Sequence, residues 1–126
     1  MEYDKYMDED CIGLCDAMNE LDGCETFDSC CGHNKKPYSI FFNCDNCYSL
    51  AVLARSIDRR YLPSDIQWTI ILETLENSDR EQYCYEIRSN FVYKDDKFLK
   101  NDINAIIKNI RYWSSHEFYK HFKKEL

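Results

Sequence analysis

The chain has 126 residues, 44% of them hydrophobic and 15% aromatic, which suits one domain over 1–126 built around one core. With 23 acidic and 16 basic side chains its net charge is −7, so general DNA binding is disfavoured, although a local basic patch remains compatible with that total. No apolar run approaches the roughly 20 residues that cross a bilayer, and an N-terminus with Glu2, Asp4, Asp8, Glu9 and Asp10 is the opposite of a cationic leader. These features set the expectation of no membrane partner and a cytoplasmic location, where eight cysteines read as free thiols.

From Asp8 to Leu21, Cys11, Leu14, Cys15, Met18 and Leu21 fall on one face of a helix that Asp22-Gly23 ends. Acidic residues at its start suit the positive end of the helix dipole. Cys24 to Asp28 and Tyr38 to Asn43 are short, β-prone segments expected to pair as antiparallel strands. A second helix, capped by Asp45 or Asn46, then buries Cys47, Leu50, Ala51, Ala54 and Ile57, with Arg55, Arg59 and Arg60 outside. Pro63 marks its exit.

Ile66 to Thr74 is apolar on both faces, as Trp68, Ile70 and Leu72 alternate with Thr69 and Ile71, so a central strand is expected. A turn at Glu76-Asn77-Ser78-Asp79 leads into Gln82 to Asn90, where Cys84, Glu86 and Arg88 form the wetter face. After a charged connector from Lys94 to Lys97, a third helix capped near Asn101 or Asp102 carries Ile103, Ile106, Ile107, Ile110 and Trp113. The order α-β-β-α-β-β-α predicts an α+β fold, a two-layer sandwich with a mainly antiparallel four-stranded sheet and helices on one face. Tyr112, Trp113, Phe118, Tyr119 and Phe122 exceed what one face of a small sheet needs, which makes a homodimer one of two expected states.

Chemistry-bearing side chains concentrate in the loop joining the first two strands. The first reading is an anion or nucleotide pocket: backbone N–H groups around Cys31-Gly32-His33 as a nest, Ser29 and His33 as donors, Lys35 and Lys36 as charge, and Tyr38 stacking on a base, with Cys30 alongside. Against it stands an ordinary turn with solvated side chains. A zinc set of Cys30, His33, Cys44 and Cys47 is the second reading, weakened because Cys44 and Cys47 fit a buried strand end and helix start. A thiol nucleophile, Cys30 or Cys31 with His33 steadied by Asp28 or Glu25, is the third. No resident cofactor is expected. His116 and His121, five apart, fall on different helix faces, and the three arginines read as solvated rather than as a phosphate edge.

Gly23, Thr26, Ser29, Cys30, Gly32 and His33 form a Gly-x-x-Thr-x-x-Ser-Cys-x-Gly-His pattern that resembles small uncharacterised proteins of bacteria and their phages, over residues 10 to 60. The stretch from Asp28 to His33 is also distantly similar to the Ser-Ser-Cys-Ser-Gly-Arg segment of the wybutosine-synthesising tRNA methyltransferase family, with Asp28 for a serine and His33 for the arginine. Methyl transfer does not carry across those replacements. The resemblance implies a strand-loop-strand holding a small ligand, in a non-enzymatic binding protein of phage origin that acts in the host cytoplasm against host defence by capturing a nucleotide or other anion. Two alternatives accompany it: an acidic inhibitor covering the nucleic-acid-binding surface of a host defence protein through Glu2, Asp4, Asp8 and Glu9, and a nucleotide- or tRNA-acting enzyme using His33 or Cys30.

Overall fold

The computed structural model describes residues 9–32, 35–77 and 80–115. The predicted order holds: α1 (Glu9–Asn19), β1 (Cys24–Cys30), β2 (Ser39–Cys44), α2 (Cys47–Ser56), β3 (Trp68–Asn77), β4 (Arg80–Ser89) and α3 (Asp96–Ser115). The strands form one antiparallel sheet in the order β1-β2-β4-β3, so β4 is interior and β3 is an edge. This corrects the expectation of a central strand over Ile66 to Thr74. Its apolar residues serve one end only: Trp68 enters the core, whereas Leu72 is 60% exposed.

The helices pack as one layer against the sheet face that carries Thr26, Ile40, Phe42 and Ile87, all buried with Leu14, Met18, Leu53 and Ile106. Burial of these side chains, each about 1.5–3 kcal/mol of apolar transfer, is the main term holding the layers together. Polar ties set their relative position. Asn19 spans α1 and β1: its Nδ2 donates to Thr26 Oγ1 at 2.9 Å while its Oδ1 accepts from Thr26 N–H at 2.8 Å. Asn109 of α3 donates to the carbonyls of Ser56 and Tyr61, closing the end of α2.

The expected face of α1 is the buried one. In α2, Asn46 caps the helix as expected, accepting from Tyr48 and Ser49 N–H. The buried face, however, is Ser49, Val52, Leu53 and Ser56, while Cys47, Ala51 and Ala54 are exposed. Two serines can face the core because their hydroxyls are satisfied there, Ser49 donating to the Asp22 carbonyl at 2.6 Å and Ser56 to that of Val52 at 2.7 Å. In α3 the start lies at Asp96, where a connector was expected, because Asp95 Oδ1 accepts the Lys97 N–H and acts as the cap.

Gly23 lies between α1 and β1 at φ 73°, where a Cβ would meet Asp45 Oδ1 at 2.1 Å, so this turn requires glycine. No helix among the described residues is long and apolar enough to cross a membrane. The acidic residues before Glu9, the turn residues Ser78 and Asp79, His33, and the segment 116–126 with His116, Phe118, Tyr119, His121 and Phe122 lie outside the described residues.

Candidate functional site

A β-bulge decides which way the first strand presents its side chains. Thr26 pairs with Phe42 and Asp28 with Phe41, so Phe27 and Asp28 together oppose one residue and the alternation resets. As a result Thr26 and Ser29, three apart, both serve the helix side, where burial and the two hydroxyls act on the Cys15 thiol. Asp28 and Cys30 are exposed, and Phe27 packs on Phe41 with ring centroids 6.2 Å apart.

The loop beyond is a tight turn. Gly32 sits at φ 82°, and both Lys35 and Lys36 N–H donate to its carbonyl at 2.9 and 3.0 Å. A Cβ on Gly32 would meet the Lys36 carbonyl oxygen at 2.0 Å. Those two amides are thus used inside the turn rather than offered to an anion, and charge at the loop comes from the exposed Lys35 and Lys36 side chains.

The expected site therefore divides. Cys30, Lys35 and Lys36 face solvent; Cys31 packs against the core; Ser29 is half-buried toward α1. Tyr38, expected to stack on a base, is instead 0% exposed, its ring 5.3 Å from that of Trp68. His33 lies outside the described residues. The zinc set does not converge either: Cys30 pairs with Ser39 at one end of the hairpin and Cys44 with Cys24 at the other. Strand rise places those ends on the order of 20 Å apart. Cys44 Sγ instead donates to the Asn46 carbonyl at 3.2 Å, and among the described residues no three His, Cys, Asp or Glu side chains could hold a metal.

What sequence reasoning missed is the row of residues that sheet register brings beside the loop. Cys30 opposes Ser39, Ser39 opposes Arg88, and Arg88 opposes Thr69, all on the face away from the helices. Arg88, with its side chain 45% exposed, is thereby adjacent to the loop that carries Lys35 and Lys36. One row further in, Phe41, Glu86 and Ile71 are in register. Glu86 Oε2 accepts from Ser39 Oγ at 2.6 Å, and Arg88 Nη1 lies 3.6 Å from Glu86 Oε1. Glu73, opposite Cys84, completes an acid pair with Glu86. Burial, then the hydrogen bond and charge of Glu86, hold the Glu73 carboxyl above its ordinary range, with Arg88 acting the other way. The sequence signal was the wetter alternation Cys84, Glu86, Arg88; its partners on β2 and β3 needed the register.

A second polar cluster lies on the helix side of the same end of the sheet, where Trp68 packs on Tyr38. Trp68 Nε1–H donates to Tyr93 Oη at 2.8 Å, Tyr93 Oη–H to Asp102 Oδ2 at 2.5 Å, and Ser64 Oγ–H to the same oxygen at 2.6 Å. Burial, then the bond to Asp102, raises the Tyr93 phenol well above its usual value. The cluster borders a cleft of about 530 Å³ lined in part by Ile66, Val92, Lys94, Phe98 and Asn101. With every donor matched to an acceptor, its first role is to join β3 and α3. Of the three arginines, Arg59 and Arg60 are exposed, Arg60 pairing with Asp58 at 3.0 Å, while Arg55 lies over the Trp113 ring at 4.6 Å.

Comparison with family models, with curated proteins and with solved structures finds no match for this chain.

Proposed function

We propose that this chain is a binding protein, not an enzyme, that captures a small anionic ligand such as a nucleotide at the loop end of the sheet face opposite the described helices. The observation that carries the reading is the register Cys30–Ser39–Arg88, which sets an arginine beside the turn bearing Lys35 and Lys36. Lys35 and Lys36 are exposed, and Arg88 lies on the strand row next to their turn, in a chain whose net charge is −7. A guanidinium with two ammonium groups suits phosphate oxygens, each such charge-assisted bond contributing about 1.5–3 kcal/mol. The two bonds to the Gly32 carbonyl hold the lysine backbone and lower its ordering cost. The resemblance to bacterial and phage proteins supplies the setting we assign to this capture, removal of a nucleotide signal used in host defence.

Calorimetric titration of the full chain with inorganic phosphate and with mono-, di- and cyclic dinucleotides tests the reading. At least one nucleotide should bind, weaken tenfold or more in both Lys35→Ala/Lys36→Ala and Arg88→Ala, and be recovered unchanged by mass spectrometry. Binding that ignores those substitutions would overturn the site. A chemically altered nucleotide would make the protein an enzyme.

A further inference from the structure

Among the described residues, Glu86 Oε1 is the buried side-chain oxygen without a hydrogen-bond partner. Glu86 is 7% exposed, yet it lies on the sheet face that no described helix covers. Its Oε2 is satisfied by Ser39, while Arg88 Nη1 at 3.6 Å from Oε1 is too far for a hydrogen bond. An unmatched buried acceptor is destabilising, more so when charged. Arg88 supplies a positive charge beside Oε1 but no hydrogen bond, so that oxygen is open to a donor of better geometry.

The surroundings say what would fit. Phe41 and Ile71 flank Glu86 in register, Phe27 extends the apolar rim at 47% exposure, and half-buried Glu73 stands over the Cys84 row beside it. Two carboxyl groups in an apolar frame suit a cation on an aliphatic stem, the stem lying on Phe41 and Ile71 and the head between the acids. Three points narrow the occupant. A metal lacks a third protein ligand among the described residues. The acids come from adjacent strands rather than one plane, which suits three divergent ammonium donors better than a flat guanidinium fork. A free diamine has no use for the aromatic rim formed by Phe27 and Phe41.

We propose that Glu73 and Glu86 form a socket for a lysine side chain of a partner protein, docked on the sheet face opposite the described helices with Phe27, Phe41 and Ile71 as its apolar rim. The site lies one row from the proposed anion site, joined to it by the Arg88–Glu86 ion pair, and the proposal does not rest on anion capture.

The test uses the full chain and a fluorescein-labelled decapeptide of alternating valine and lysine, followed by anisotropy. Glu86→Gln and Glu73→Gln should each weaken binding tenfold or more, and acetylating the peptide's lysines should abolish it. The exposed Glu20→Gln, away from the face, should leave binding unchanged. Unchanged binding by Glu86→Gln and Glu73→Gln, both folded by circular dichroism, would overturn the proposal. So would equal losses in Glu20→Gln, which would show general charge attraction. Displacement of the peptide by equimolar spermidine or magnesium would assign the acid pair to a free cation instead. Loss of nucleotide capture in the lysine and arginine variants bears on the anion site alone.

Discussion

Ser89 holds the Tyr38 peptide from both sides, its hydroxyl accepting the Tyr38 N–H at 2.9 Å and its own N–H donating to the Tyr38 carbonyl at 3.0 Å. The same hydroxyl donates to the Phe91 carbonyl at 2.9 Å. One buried side chain, 51 residues away, thus anchors the exit of the loop to the end of β4. Ser89→Ala strands a buried donor and weakens an acceptor, for an expected loss of about 1–3 kcal/mol. Urea denaturation should show a lower midpoint with an unchanged slope.

Gly32→Ala should be costly for two reasons that act together. A left-handed backbone costs a non-glycine residue roughly 1–2 kcal/mol, and the new methyl would meet the Lys36 carbonyl oxygen at 2.0 Å, where backbone cannot swing aside. Thermal unfolding should show a lower Tm. Nucleotide capture should fall in the same variant under conditions where it is folded, since the turn presents the lysines.

Tyr93→Phe deletes one oxygen that serves two partners, leaving Trp68 Nε1–H without an acceptor and Asp102 with one donor fewer. About 1–3 kcal/mol of stability should go with it. The phenol also sets an alkaline limit. Because its folded pKa is raised above the unfolded value of about 10, its contribution is complete below that pH and declines above it. Tyr93→Phe should flatten the fall in stability between pH 10 and 12, read from urea midpoints.

The thiols should separate by burial. Burial pushes Cys15 up to about 11 and Cys24 up to about 12, so both stay protonated and shielded at pH 8. Cys30 and Cys47 are exposed. Brief iodoacetamide treatment followed by peptide mass spectrometry should find Cys30 and Cys47 alkylated, with Cys15 and Cys24 modified only after denaturation. Early modification of Cys24 would contradict the packing of β1 against the helix layer.

Periodicity alone was enough for the element order, the buried face of α1 and the Asn46 cap, because each depends on residues within one or two turns of one another. Local reading failed where a distant partner changed a residue's meaning. Ser49 and Ser56 count as polar in any pattern, yet the carbonyls of Asp22 and Val52 let them face the core. Asp102, expected near a helix start, serves Ser64 and Tyr93 instead. The loop was legible as a concentration of unlike polar groups, and its lysines do reach solvent. That Tyr38 would turn inward, and that Ser39, Arg88, Glu86 and Glu73 would meet on one face, depended on β4 inserting between β2 and β3. Strand order and register are set by which side chains bury best together across the whole sheet, a long-range sum that no single stretch of sequence contains.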